Sequence, residues 1–139
     1  MILLDTNVIS EPLRPAGDAG VLTWIDAQAI ETLYLCTISL AELRFGIAAL
    51  PEGRRRDGLL DSLEQRVLPL FEGRVLSFDE LASRAYASLR ARARAAGRAI
   101  APADGYIAAI AVAHDLTVAT RDTAPFEAAG LKTLDPWKT

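Results

Sequence analysis

Four short, mostly apolar runs, Ile2–Leu4, Leu33–Thr37, Val75–Phe78 and Thr117–Thr120, are spread along the chain with helix-like segments between them. A strand with one wet face alternates apolar and polar residues, whereas a strand covered on both faces reads as a nearly unbroken apolar run. Strand–helix alternation of this kind predicts an α/β fold built on a mostly parallel sheet with helices on both sides. With 139 residues the chain suits one domain, 1–139, with no internal repeat, low-complexity stretch or linker to divide it.

Helix signals fill the intervals. A short helix is expected from Val8, stopped near Pro12 or Pro15, and another over Val21–Ala29. Ser39-Leu40-Ala41-Glu42 has the form of a capping box opening a helix that Pro51 ends, and a long helix should cover about Gly53–Leu70. Asp79 should cap a helix running to Gly97, a C′ glycine, and Pro102 should open one ending at His114. A short helix around Phe126 should stop near Gly130, before a small fifth strand at Lys132–Leu134.

Several function classes fall away at this point. No apolar run approaches the roughly 18 residues of a membrane helix, and the N-terminus lacks the basic region of a signal peptide. The only cysteine, Cys36, cannot form an internal disulfide, and neither it nor the only histidine, His114, has partners for a zinc site. A cytoplasmic location is the expectation. The net charge of −3 argues against a purely electrostatic nucleic-acid binder. The basic residues are nonetheless clustered: Arg54-Arg55-Arg56, then Arg90, Arg92, Arg94 and Arg98. Such clusters can meet phosphates, or can simply be the solvated faces of helices.

In open α/β sheets ligands bind beyond the carboxyl ends of the strands. Asp5 follows the first strand, Ser39 and Glu42 follow the second, and Thr120-Arg121-Asp122 closes the fourth. Asp104 lies in the first turn of the helix leading into that fourth strand, on a face shared with Ile107, Ala108 and Ala111. Each acid has an ordinary structural explanation: Asp5 and Asp122 as N-caps, Glu42 as the partner in a capping box, and Asp104 at N3. Four acids from four segments on one sheet edge repel each other, however, and call for a cation. Mg²⁺ or Mn²⁺ suits such a set, because both take carboxylate oxygens and keep several waters. Carboxylate-held ions about 3.5–4 Å apart are a common device for phosphodiester hydrolysis. Thr6, Asn7, Ser39 and Thr120 would orient the acids or the metal's waters.

These segments, taken in order, resemble the PIN-domain ribonucleases, in particular the VapC/FitB-type toxins of bacterial toxin–antitoxin pairs. MILLDTNVISE resembles the family's first motif, with Asp5 as its acid. TISLAELRFGI resembles the second, with Glu42, and APADGYIAAIAVAHDL the third, with Asp104. TVATRDTAPFEAAGLKTLDPW resembles the closing motif, with Asp122. One position departs from the pattern: Pro125 stands before Phe126, where many relatives have an acid, so Asp122 is left to supply the fourth carboxylate. The resemblance implies a three-layer α/β/α sandwich around about five strands. It also implies RNA cleavage with Mg²⁺ or Mn²⁺, leaving a 5′-phosphate and a 3′-hydroxyl. A homodimer and a small antitoxin, itself carrying a DNA-binding domain, are the partners it implies.

Two other classes compete. An aspartyl-phosphate enzyme would use Asp5 as nucleophile, but the residue two beyond it is Asn7 and the only lysines, Lys132 and Lys138, lie near the C-terminus. A catalytically silent PIN-like module would bind RNA or a partner without turnover. Metal-dependent hydrolysis separates the nuclease from the silent module, and stable phosphate labelling on Asp5 would reveal the aspartyl-phosphate enzyme.

Overall fold

The computed structural model describes residues 1–139. Five strands form one sheet in the order β3-β2-β1-β4-β5: β1 (Ile2–Leu4), β2 (Leu33–Cys36), β3 (Val75–Leu76), β4 (Thr117–Ala119) and β5 (Thr133–Leu134). Every neighbouring pair is parallel, with Ile2 opposite both Leu33 and Thr117. Seven α-helices cover the two faces: α1 (Thr6–Ile9), α2 (Ala19–Ala27), α3 (Thr37–Ala48), α4 (Arg54–Asp61), α5 (Glu80–Ala95), α6 (Pro102–Ala113) and α7 (Ala124–Ala128). The result is the expected three-layer α/β/α sandwich. None of its helices is long and apolar enough to cross a membrane.

Strand alternation explains the two cores. Leu3, Cys36 and Val118 point to one face and pack with α5, α6 and α7 through Leu89, Ile107 and Phe126. Leu4, Leu35 and Ala119 point to the other and pack with α1 to α3 through Val8, Val21 and Leu43. A strand covered on both faces has little room for polar side chains, and β1, β2 and β4 carry only the half-buried Tyr34 and Thr117 beside their apolar residues.

The chain goes from β1 to β2 and β3 on one side, then returns to place β4 on the other side of β1. The crevice at the C-terminal ends of β1 and β4 is therefore the topological switch point, where open α/β sheets bind ligands.

Several elements differ from expectation. The first helix starts at Thr6, two residues earlier than Val8, because Asp5 caps it. The third helix starts at Thr37 directly from β2, with Cys36 at N-cap, so Ser39 caps nothing. Ser39 is fully buried and its hydroxyl lies 3.5 Å from Cys36 Sγ. The long helix of 53–70 is three pieces: α4, a π-helical stretch over Ser62–Val67 and a 3-10 turn over Leu68–Phe71. Pro69 explains the break, since it lacks the N–H that would bond the Gln65 carbonyl and its ring crowds that carbonyl. The edge strands β3 and β5 are two residues each, shorter than the runs that announced them.

Candidate active site

Asp5 stands at the joint between β1 and α1. Its backbone is extended (φ −71°, ψ 161°), as an N-cap requires, and its Oδ1 accepts the N–H of Thr6 at 2.8 Å. Its Oδ2 accepts the hydroxyl of Thr120 at 2.7 Å. The ordinary capping role is thus real, but it uses one oxygen only. Asp5 is 6% exposed, and burial raises its pKa above 3.8. The bonds from Thr120 and Thr6 oppose that rise, while the charges of Glu42 and Asp122 add to it.

Thr120 sits just past β4 and is fully buried. Its hydroxyl gives its one proton to Asp5 and accepts from the Asp122 N–H at 3.1 Å and from Asn7 Nδ2 at 3.4 Å. Asn7 Oδ1 in turn accepts the Arg121 N–H at 3.3 Å. These bonds tie the loop after β4 to the first turn of α1 and fix where Asp122 leaves the sheet. Asp122 does not cap α7, whose N-cap is Thr123.

Glu42 projects from the second turn of α3 and accepts the Thr6 hydroxyl on Oε1 at 3.1 Å. Asp104 is the third residue of α6, behind Pro102 at N1, and its carboxyl accepts no hydrogen bond from the chain. Asp104 is half-buried, and its pKa is raised by burial first and then by the charges of Asp5 and Asp122.

The four carboxylates meet in one pocket of about 300 Å³, lined by Asp5, Thr6, Asn7, Glu42, Asp104 and Asp122 without an apolar residue. None of the four has a salt-bridge partner; the chain's ion pairs are Arg14–Glu11, Arg44–Glu64, Arg56–Glu52 and Arg84–Glu80. The donor set is all oxygen, which suits a hard divalent ion and not zinc. The acids are not drawn into a closed ligand shell of three or more. That spacing is compatible with an ion that keeps water between itself and part of its ligands.

Among the supporting residues, Thr6, Asn7 and Thr120 all bond within this network, whereas Ser39 faces Cys36 instead. Trp24 packs in the core on the α1–α3 side. Tyr86 and Tyr106 stack on each other, centroids 4.7 Å apart, with the edge of Phe78 against both. Arg121 was no candidate from sequence, and its place is set by contacts that no local pattern reveals: a stack on Trp137 at 5.1 Å and the bond to Asn7.

The PIN domain family model matches residues 2–131. VapC ribonuclease Y4jK of Sinorhizobium fredii is 61% identical over 99% of both chains, and Toxin FitB of Neisseria gonorrhoeae is 53% identical over 99% of both. The crystal structure of FitAcB from Neisseria gonorrhoeae superposes with a TM-score of 0.96 at 52% identity, covering 100% of each chain. A structure of FitAB bound to an IR36 DNA fragment superposes at 0.95 with 51% identity, over 99% of this chain and 96% of the other.

Proposed function

We propose, from the premise that this chain belongs to the PIN domain family, that it is the ribonuclease toxin of a toxin–antitoxin pair. One observation carries the reading: four unpaired carboxylates line a pocket at the switch point of a parallel sheet, in a chain this similar to a VapC ribonuclease and to Toxin FitB. The reaction is hydrolysis of an RNA phosphodiester. Water oxygen bonds to phosphorus as the P–O3′ bond breaks, leaving a 5′-phosphate and a 3′-hydroxyl.

Asp5, Glu42, Asp104 and Asp122 would hold Mg²⁺ or Mn²⁺. A bound divalent ion lowers the pKa of water and offsets charge on the phosphate. The chain's own residues prepare the pocket. Thr120 and the Thr6 N–H occupy one lone pair on each oxygen of Asp5 and aim the others outward. Thr6 does the same for Glu42 Oε1. Asp104 and Asp122 keep their carboxylates free of chain donors, so both oxygens of each are available to a ligand. Asn7 holds Thr120 and the Arg121 backbone and so keeps the Asp122 loop in place.

The single domain would act in the cytoplasm as a homodimer, restrained by a small antitoxin with a DNA-binding domain. The FitAB complex on DNA supports that partner. The deciding experiment is cleavage of RNA by antitoxin-free protein with Mg²⁺, with Mn²⁺ and with EDTA, beside the Asp5→Asn variant. Cleavage should need metal and vanish in the variant; cleavage that persists in Asp5→Asn would defeat this assignment.

A further inference from the structure

One of two arginine-lined depressions on the surface is built on α5, which packs against the helix that carries Asp104. A groove of about 550 Å³ runs along the C-terminal half of α5 and the segment after it, lined by Tyr86, Arg90, Arg94, Arg98 and Ile100. It carries no carboxylate. Arg90, Arg94 and Arg98 are exposed, and none is in a salt bridge. Elsewhere Arg14, Arg44, Arg56 and Arg84 each pair with a glutamate, while Arg54, Arg55, Arg66, Arg74, Arg92 and Arg121 are, like these three, in no salt bridge.

The groove is built by the fold. Arg90 and Arg94 are four residues apart, hence on one face of α5 and about 6 Å apart along its axis. Gly97 then turns the chain with φ +74°, the Gly97 N–H reaches the Arg94 carbonyl at 3.0 Å, and the Arg98 N–H reaches the Ala93 carbonyl at 2.8 Å. This double closure is the Schellman motif, and it turns the chain so that Arg98 lines the same groove as Arg90 and Arg94. Arg90 is held further by a 2.7 Å bond from Nη1 to the Tyr86 hydroxyl and by stacking over the Tyr86 ring at 5.4 Å. Arg94 in the last turn also favours the helix dipole, but that effect needs neither the groove nor the other two arginines.

The groove wall packs against α6 at Gly105, the neighbour of Asp104 in sequence. A Cβ at Gly105 would stand 3.0 Å from Tyr86 Cε2 and 3.5 Å from Arg90 Cδ. Arg90 therefore lies against the residue that follows Asp104. At the other end Arg98 and Ala99 share a second depression with Ala124, Pro125 and Glu127, just beyond Asp122. The cations border the two segments that carry half of the carboxylates.

A polyanion approaching four carboxylates is repelled unless cations offset them nearby. We propose that Arg90, Arg94 and Arg98 form a phosphate-binding track that holds the RNA backbone beside the scissile bond. The reading rests on the ribonuclease assignment above. The regular rise of about 6 Å between the first two guanidinium-bearing positions is close to the step between phosphates on an extended strand. Contacts of this type position RNA without reading its sequence. An acidic segment of a partner protein would meet the same charges, but nothing would then require them to border Asp104 and Asp122.

The test is binding of a short fluorescein-labelled single-stranded RNA of mixed sequence, followed by fluorescence anisotropy in EDTA over a salt series. The full chain is compared with the triple variants Arg90→Gln/Arg94→Gln/Arg98→Gln and Arg90→Lys/Arg94→Lys/Arg98→Lys. The glutamine triple should weaken binding roughly tenfold or more and lower the slope of log affinity against log salt by about 2, at about 0.7 per lost phosphate contact. The lysine triple should keep most of the slope, which a merely structural role would not predict. Arg54→Gln/Arg55→Gln, in the separate basic depression near Pro15, should leave the slope unchanged. An unchanged slope in the glutamine triple overturns the track, as does loss of a polyglutamate peptide's binding with RNA binding intact. Binding is read without metal, so unmutated protein that binds RNA but never cleaves it would defeat the ribonuclease assignment and leave the track standing.

Discussion

The hydroxyl of Thr120 donates a 2.7 Å hydrogen bond to Oδ2 of Asp5, joining the ends of two adjacent parallel strands across 115 residues of chain. Thr120→Val keeps the shape and removes that donor. It also strands the Asp122 N–H and Asn7 Nδ2, which bond the same oxygen. Leaving buried partners unsatisfied should cost roughly 1–3 kcal/mol of stability. Asp5 loses a bond that favours its charged form, so the pH profile of cleavage should shift toward higher pH. Thr120→Ser should restore both; thermal melts and pH–rate profiles of the pair would show it.

Asp104→Asn separates stability from function. Asp104 accepts no hydrogen bond, and its charge is opposed by Asp5 and Asp122. Removing the charge should raise the metal-free Tm while abolishing cleavage, the trade-off expected where an acid is kept for chemistry. A lowered Tm with cleavage intact would count against its place in the site.

The metal-free protein should become more stable on mild acidification. Asp5 and Asp104 have folded-state pKa values above 3.8, so between the unfolded and folded values the native chain binds more protons. Stability then rises as pH falls through the folded values and falls as pH rises through them. These two acids contribute no further gain below the unfolded value. Comparing Tm between pH 7 and the carboxylate range, for the parent and for Asp104→Asn, isolates the contribution. The variant should show a smaller gain.

Adding Mg²⁺ or Mn²⁺ near neutral pH should supply the missing counter-charge. Binding to the folded chain alone stabilises by about 2.7 kcal/mol at a hundred times Kd. The Tm should climb with metal concentration in the parent and stay flat in Asp5→Asn. A parent Tm that is flat across the titration would remove the case for a divalent ion in this pocket.

Two glycines in helices should answer oppositely to alanine. Gly46 in α3 has nothing near the position of a Cβ, and Gly46→Ala should gain about 0.5–1 kcal/mol. At Gly105 the new methyl meets Tyr86, which the stack with Tyr106 and the edge of Phe78 holds in place. Overpacking of about 1–3 kcal/mol should exceed the helix gain there. Urea midpoints of the two variants should move in opposite directions.

Much of the fold was legible because local signals and tertiary demands agree. The helix from Asp79 to the Gly97 turn and the one opened by Pro102 lie where their caps said. Burial on both faces made β1, β2 and β4 conspicuous. Legibility failed where packing overrides a local pattern. Ser39 has the form of an N-cap, yet β2 passes straight into α3 and carries Ser39 inward against Cys36. The helix expected over Gly53–Leu70 ran through Pro69, and the π-helical turn over Ser62–Val67 has no local sequence signal of its own. Within the pocket, Asp5, Glu42 and Asp122 were readable from their places after strands, and Asp104 from its place at the start of an otherwise apolar helix. The Thr120 network was harder to see, since its bonds join residues far apart in sequence.

The strand order has a further consequence for the life of the chain. Asp5 and Glu42 are made early, but β4 must insert beside β1 before Thr120 can grip Asp5 and before Asp104 and Asp122 can face them. A chain still on the ribosome therefore holds two of its four acids on an incomplete sheet. The pocket comes into being only when the last third of the protein has emerged and docked, so a nascent chain of this design carries an incomplete set of site acids until its synthesis is nearly over.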